Sequence, residues 1–279
     1  MIEIILNSSS KELTSEFNKL ITKYTPKFRL FRVQVVHAKL SPTIFQRKKT
    51  TQNAVRSKAS VEKICIVSPG NSFGFLNGGF DKGIMNLFNS CNSTQDFQAL
   101  FQKELRMINK TSYSPVLNPT LVDLAKYNYT CELLDENAPG GSICMQYTHI
   151  LHLPTMVSPE QPLFPKKSGN ATNNNQKQLS FVFDCCFRSL LQLRDTFFKI
   201  DCIVLPGFGA GYGGVEPANC ALGILLGIKL FEIDHLKLVD QPTLQKYLLQ
   251  LHGYKDVNIF QENKKIEPNK VDLEKILKL

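Results

Sequence analysis

Two short stretches of this 279-residue sequence have the residue types and spacing to hold an anionic ligand. Ten of the 16 glycines fall in residues 70–83 (window one) and 207–214 (window two), five in each. Each window follows a short apolar run and precedes a segment of helical character. A strand, a glycine-rich turn and a helix N-terminus bring free backbone N–H groups together at one point, and this arrangement suits phosphate.

Known nucleotide motifs explain these windows poorly. Neither contains a Walker A sequence, because no Gly-Lys-Ser/Thr occurs at the required spacing, which argues against nucleotide triphosphate hydrolysis of that kind. Gly209, Gly211 and Gly214 match the G-x-G-x-x-G dinucleotide fingerprint, with Asp234 about twenty residues further on. Only 65 residues follow Gly214, however, whereas a dinucleotide fold uses this loop early in its domain. We keep that interpretation as a minor alternative.

The elements around the windows are predicted to alternate between strand and helix. The apolar runs 63–67 and 201–205 lead directly into the windows, and helices are expected at 81–90 and 218–233. This alternation predicts an α/β fold with a mostly parallel sheet that is covered on both faces. Ligands bind such sheets at the carboxyl ends of the strands, so both windows should line one crevice.

The remaining elements complete a single predicted domain over residues 1–279. Further strands are expected at 2–6, 28–38, 120–127, 129–134, 142–145 and 148–153, and further helices at 11–24, 94–109 and 179–198. We expect a core over about residues 30–235, loop insertions at 41–60 and 158–177, and a peripheral C-terminal extension at 237–279 with one or two helices.

The net charge of +9 permits a polyanionic partner without identifying one. The densest basic run, from Arg47 to Lys63, lies in a polar stretch that predicts a solvated loop. No aromatic residues interleave with these charges, which argues against a nucleic-acid surface there. Cys-x-x-Cys pairs and apolar runs of 18 or more residues are absent, and the N-terminus is a poor signal peptide. We therefore expect an intracellular protein, cytoplasmic or nuclear or both, with no membrane partner.

Asn71, Asp81 and His152 are the candidate side chains for chemistry. Asn71 can stabilise its own turn through an Asx hydrogen bond. Asp81 can orient or deprotonate a water, and it can cap the helix that follows. His152 ends an apolar strand, so it is either a core histidine or a proton donor. His149 should face the other side of that strand, and no third ligand accompanies either histidine, so no metal site is expected.

These residues occur in an order that resembles the macro domain family. The family's first loop runs Asn-Ala-Ala-Asn and then Gly-Gly-(apolar)-Asp, and its second Asn and its Asp match Asn71 and Asp81 with the same ten-residue spacing. Residues 150–155 resemble the family's middle strand, and residues 209–214 resemble its second loop, of Ser/Thr-Gly-(apolar)-(aromatic)-Gly type. The two windows are most similar to a fungal branch described as ADP-ribose 1″-phosphate phosphatases.

The resemblance implies a three-layer α/β/α fold with a central mixed, mostly parallel sheet. It also implies an ADP-ribose-type ligand, with one window at the distal ribose and its phosphate and the other at the diphosphate bridge. The implied enzyme is a phosphoric monoester hydrolase that converts ADP-ribose 1″-phosphate to ADP-ribose without a cofactor or metal. A non-catalytic ADP-ribose reader, and a hydrolase acting on mono-ADP-ribosyl groups or O-acetyl-ADP-ribose, are the alternatives.

The resemblance assigns catalysis to Asn71, Asp81 and His152, and it implies that Asn71 orients the distal ribose hydroxyls. It assigns ligand binding mainly to backbone amides, at Ser68, Gly70, Asn71, Gly78, Gly79, Phe80, Gly207, Gly209, Ala210, Gly211, Tyr212 and Gly213. The sequence departs from the family in three places, one of which is the shifted position of the aromatic residue Tyr212 in window two. Residues 37–40 lack the acid that takes the adenine amino group in the family, and Ser68, Pro69 and Gly70 replace Asn-Ala-Ala.

Overall fold

A seven-stranded sheet forms the centre of the described part of the chain in the computed structural model. The structure describes residues 1–45, 61–134, 142–160, 162–165, 171–254 and 273–279. The strands are β1 (Ile2–Ser8), β2 (Phe31–His37), β3 (Glu62–Ser68), β4 (Thr120–Asp123), β5 (Thr130–Leu134), β6 (Ser142–His152) and β7 (Cys202–Pro206). Their order is β2-β1-β7-β3-β6-β4, and β5 also pairs with β6.

Helices cover both faces of this sheet. They are α1 (Lys11–Tyr24), α2 (Gly79–Cys91), α3 (Phe97–Asn109), α4 (Ala171–Leu193), α5 (Pro217–His235), α6 (Gln241–Leu251) and α7 (Leu273–Ile276). α1, α4 and α5 pack on one face, and α2 and α3 pack on the other. The pairs among β1, β2, β7, β3 and β6 are parallel, whereas β4 and β5 pair antiparallel with β6. The predicted three-layer α/β/α fold with a mixed, mostly parallel sheet is therefore confirmed.

α5 is the most buried helix of the layer that it shares with α1 and α4. Gly223 and Gly227 allow α4 to approach closely, because a Cβ at these positions would lie 2.8 Å from Val182 and 2.7 Å from Cys186. The resulting contact buries a mostly apolar helix, together with its Lys229–Glu232 ion pair, against its neighbour and the sheet. Within the described residues, no helix is both long and apolar enough to cross a membrane.

The core begins earlier in the chain than predicted. β1 lies inside the sheet between β2 and β7, so the core starts at Ile2 and not at about residue 30. Ile4 and Leu6 belong to the apolar cluster on one face, and Ile5 belongs to the cluster on the other. A strand that is apolar on both faces must be covered from both sides, and a central position in the sheet provides this cover.

Two predictions of strands in the middle of the chain are corrected. The runs 142–145 and 148–153 form one strand, β6, because Tyr147 between them is fully buried against the rings of Phe45 and Phe88. The strand predicted at 120–127 ends at Asp123. The Asp123 carboxylate accepts a hydrogen bond from the Ala125 N–H at 2.8 Å, and the chain turns there into the short 3₁₀ segment Ala125–Tyr127.

The predicted loops and tail match the structure in part. α4 begins at Ala171, inside the segment 158–177 that was predicted as a loop, and it gives way to a 3₁₀ segment, Arg194–Lys199, in place of the helix predicted to residue 198. α6 and α7 are the peripheral helices predicted for the tail. Most of the loop predicted at 41–60, with the basic residues 47–58, lies outside the described residues.

Candidate functional site

The two glycine windows leave neighbouring strands at the same edge of the sheet. β3 and β7 pair in parallel, with Ile66 opposite Val204. Window one therefore starts beside window two at the carboxyl ends of the strands, and the shared edge predicted from the sequence is confirmed. That both windows contact one ligand stays a prediction.

Window one is shaped by the side chain of Asn71. Its Nδ2 donates to the carbonyl of Phe75 at 2.9 Å, and its Oδ1 accepts from the N–H groups of Phe73 at 3.1 Å and Phe75 at 3.3 Å. This is the local turn that the sequence offered as one interpretation of Asn71. The other interpretation, contact with ribose hydroxyls, remains a prediction.

A buried polar chain runs beneath window one. The Ser68 hydroxyl donates to Asp81 Oδ1 at 2.8 Å and lies 3.3 Å from His152 Nδ1. His152 Nε2 lies 3.1 Å from the carbonyl oxygen of Asn71. Because a carbonyl only accepts, Nε2 carries the proton and Nδ1 is the bare nitrogen that faces Ser68. All four residues are buried, so this chain joins β3, α2 and β6 under the loop.

Burial shifts the two titratable groups of this chain in opposite directions. It raises the pKa of Asp81 to about 7, although the hydrogen bond from Ser68 partly offsets the shift. It lowers the pKa of His152 to about 4, against the opposing effect of the hydrogen bond to Asn71. At neutral pH, His152 is therefore neutral, and Asp81 is poised between its two protonation states.

The N-cap interpretation of Asp81 is wrong. α2 begins at Gly79, two residues earlier than predicted, and its N-cap is Gly78, which makes no side-chain cap. Asp81 lies in the first turn and turns its carboxyl group inward to Ser68. The first-turn amides thus have neither a helical acceptor nor a capping side chain, and such a helix start attracts anions.

The glycines of window one differ in what surrounds them. A Cβ at Gly70 would lie 2.6 Å from His152 Cε1, so glycine is needed there for packing. A Cβ at Gly78 or Gly79 would meet nothing within 4 Å, and both residues are exposed. Gly78, Gly79 and the half-buried Phe80 are therefore accessible, whereas Ser68 and Gly70 lie beneath them.

Window two is a compact backbone turn. Gly209 and Gly214 have positive φ angles of +69° and +76°, which side-chain-bearing residues rarely adopt. The Phe164 N–H donates to the carbonyl of Gly213 at 2.9 Å and ties the window to a neighbouring segment. Gly211 and Tyr212 are exposed at its tip, while Gly207 and Ala210 are partly buried. The ligand contacts predicted for this window remain predictions.

Two positioning residues escaped the sequence reasoning. Buried Gln178 accepts from the Glu216 N–H at 2.9 Å and from Asn219 Nδ2 at 3.0 Å, and so it holds the start of α5. Asn7, at the end of β1, donates to the carbonyl of Ala38 at 3.1 Å and fixes the stretch that lacks the family's acid. Asn7 could have been recognised from the sequence, because it is a polar residue at the end of an apolar strand.

The site residues come with no metal cluster. Among the described residues, no three or more His, Cys, Asp or Glu side chains are placed to hold a metal ion.

Comparison with known families finds a match over residues 1–274 to the family described as "Macro-like domain". The match includes every strand of the sheet and both windows.

Proposed function

The chain belongs to the macro-like domain family, and on that premise we propose that windows one and two bind one ADP-ribose-type ligand at the carboxyl edge of the sheet. The support is positional. The exposed Gly78 and Gly79 and the half-buried Phe80 lie at the start of α2, and window two leaves the adjacent parallel strand. A diphosphate and a distal ribose phosphate would find N–H donors on both sides.

The proposed reaction is the hydrolysis of ADP-ribose 1″-phosphate. A water attacks phosphorus, the bond from phosphorus to the C1″ oxygen breaks, and ADP-ribose and inorganic phosphate leave. Asp81, which is 7% exposed whereas His152 is fully buried, accepts the proton of the water, and the amides of window one stabilise the charge on the phosphoryl oxygens. The observation that carries this role is a buried carboxyl group with a pKa of about 7, beneath the uncapped start of α2.

Asn71 and His152 act differently in this proposal. Asn71 orders the loop that would meet the distal ribose, since its amide holds the turn of Phe73 and Phe75. His152 is fully buried and bonds to the Asn71 carbonyl, so we assign it a positioning role. The leaving oxygen then takes its proton from solvent.

The test is phosphate release from ADP-ribose 1″-phosphate by the wild type and by Asp81→Asn. Asp195→Asn is the matched control, because Asp195 is an exposed carboxylate in the 3₁₀ segment that precedes β7. We expect Asp81→Asn to lower kcat by about 100-fold or more, as for loss of a general base. Calorimetric titration of ADP-ribose should show that the variant still binds. Equal rates in the three proteins would contradict the role of Asp81.

A non-catalytic reader of ADP-ribose is the second candidate. The observation that favours it is the engagement of Asn71 and His152 in internal hydrogen bonds, which leaves few free acid–base groups at the windows. No turnover together with tight ADP-ribose binding would establish the reader. Turnover of mono-ADP-ribosylated protein or O-acetyl-ADP-ribose in the same assay would indicate the other hydrolase activity.

An intracellular location, cytoplasmic or nuclear or both, is part of this proposal. All eight cysteines are free, and five of them are buried. Free thiols in this number are typical of a reducing compartment.

A further inference from the structure

Three aromatic side chains are exposed next to window one. Phe73 and Phe75 are each 44% exposed and Tyr113 is 41% exposed. The rings of Phe73 and Tyr113 meet edge to face, with centroids 6.0 Å apart. We call the surface formed by residues 73–75 and 110–116 the aromatic rim. It lies on the side of window one that faces α3, away from window two, which leaves β7 on the other side of β3.

Hydrogen bonds to neighbouring backbone hold the aromatic rim in place. Gln102 Nε2 on α3 donates to the carbonyl of Phe73 at 3.0 Å. The Ser114 N–H donates to the carbonyl of Ser72 at 2.8 Å, which joins the two segments of the rim. Because the rings are already positioned, a partner that stacks on them loses little of their conformational freedom.

Most exposed charges near the aromatic rim are cationic, although Asp96, the N-cap of α3, is an exposed carboxylate. In residues 70–83 and 97–118, the exposed charged side chains are Lys82, Lys103, Arg106 and Lys110. The two carboxylates of these segments are withdrawn from the surface, since Asp81 bonds to Ser68 and Glu104 bonds to Lys126 and Tyr127. Arg106 lies one helical turn beyond Gln102, so it is next to the segment that carries Phe73.

We propose that the aromatic rim binds single-stranded nucleic acid. Bases would stack on Phe73, Phe75 and Tyr113, and phosphates would face Lys82, Lys103, Arg106 and Lys110. Exposed rings combined with a cationic surface are the means by which proteins hold single strands without base-specific contacts. In a duplex the base faces are stacked and inaccessible to the rings, and an apolar peptide carries no charge to pair with the four cations. A single strand has both accessible base faces and phosphates, so it matches both features of the rim.

This proposal does not depend on the proposed hydrolase. None of the stacking or basic residues of the rim is assigned to ADP-ribose binding or catalysis, although Asn71 holds the turn that carries Phe73 and Phe75. The sequence argued against a nucleic-acid surface because residues 47–63 carry cations without aromatic residues. In the fold, aromatic and basic residues that are well separated along the chain come together on α3 and the two segments beside it.

The test is fluorescence anisotropy of the full chain with a 5′-labelled 12-nucleotide oligouridylate, at several salt concentrations. The double variant Phe73→Ala with Tyr113→Ala removes two stacking surfaces, and we expect affinity to fall by about 30-fold or more. The double variant Arg106→Gln with Lys110→Gln should weaken binding and reduce the slope of log K against log salt by about 1.4, at about 0.7 for each phosphate contact.

The matched control is the double variant Phe198→Ala with Lys199→Gln. Phe198 is 81% exposed with the Lys199 ammonium 5.4 Å from its ring centroid, in the 3₁₀ segment that precedes β7 at the opposite edge of the sheet. We expect this control to bind as the wild type does, and a duplex of the same length to bind more weakly than the single strand. Unchanged affinity in both rim variants, equal binding of duplex, or an equal loss in the control would each overturn the proposal.

Discussion

The two glycine windows reach the same edge of the sheet, but different forces hold them. Window one rests on buried side chains, because the chain from Asp81 through Ser68 and His152 ends at the carbonyl of Asn71. Window two rests on its own backbone, with positive φ at Gly209 and Gly214 and close approach to its neighbours. Dense glycine therefore has two causes in one protein, which are tight packing, at Gly70 in window one and through most of window two, and an accessible helix start at Gly78 and Gly79.

This difference makes the two windows separable by experiment. Substitution of buried side chains and changes of pH should alter the stability of window one. A methyl group added at Gly214 should alter the stability of window two. The expected effects below run from the largest to the smallest.

The pH dependence of Asp81 should separate the windows most clearly. Its pKa rises from 3.8 to about 7 on folding, so the native state keeps a proton that the unfolded chain releases. The stability that this proton gives is present below pH 3.8 and is lost as the pH rises through about 7, a loss of roughly 4 kcal/mol. Urea unfolding of the wild type and Asp81→Asn from pH 4 to 8 measures this difference.

His152 must be considered in the same pH range. Its pKa is lowered to about 4, so its contribution to folding stability is present above pH 6.5 and is lost as the pH falls through about 4. This pH dependence is opposite in sign to that of Asp81. Because His152 is present in both proteins, its contribution cancels in the difference between them. Parallel pH profiles for the two proteins would show that Asp81 does not support window one in this way.

Gly214→Ala should destabilise the protein through window two. The residue has φ of +76°, and a Cβ would lie 2.5 Å from the carbonyl oxygen of Phe164, which is backbone and cannot rotate away. We expect a loss of about 2–3 kcal/mol in the free energy of unfolding. Gly211→Ala is the matched control, because a Cβ there meets nothing within 4 Å. Equal unfolding midpoints in urea for the two variants would contradict the backbone account of this window.

Ser68→Ala should affect window one alone, by a smaller amount. It removes the hydrogen bond to buried Asp81 and the polar contact with His152 Nδ1, and we expect a cost of about 1–3 kcal/mol. Loss of this hydrogen bond should also raise the pKa of Asp81 further, since Ser68 lowers it. Ser112→Ala, at an exposed position, is the control in the same unfolding assay. A variant as stable as this control would argue against the buried chain as the support of window one.

Gly78→Ala should have the smallest effect on stability and is the most direct probe of ligand contact. A Cβ meets nothing within 4 Å and φ is −138°, so we expect unfolding to change by less than about 0.5 kcal/mol. The methyl group would nevertheless stand beside the uncapped amides of α2 and should weaken ADP-ribose binding in calorimetry. The same binding measurement on Gly211→Ala tells the windows apart. If ADP-ribose affinity falls in only one of the two variants, the ligand is assigned to the window that carries that substitution.

The sequence predicted the class of the fold and the location of the windows, since both depend on local patterns. Apolar runs of strand length followed by glycine and helix are sufficient to predict windows at a sheet edge. It predicted the strand β1 but did not place it in the core, because the sheet order depends on segments far apart in the chain. It also failed at Asp81, because Asp is equally suited to a cap and to an inward position in the first turn.

By itself, the sequence determined which segments become strands, turns and helices, and which glycines lie between them. Only the tertiary structure decided that β3 lies beside β7, that Ser68, Asp81 and His152 meet, and that Tyr113 stands against Phe73. The physical reason is that helix and strand periodicity depends on neighbours a few residues apart. Strand order and buried polar contacts instead depend on how whole layers pack, and that involves residues far apart in the chain.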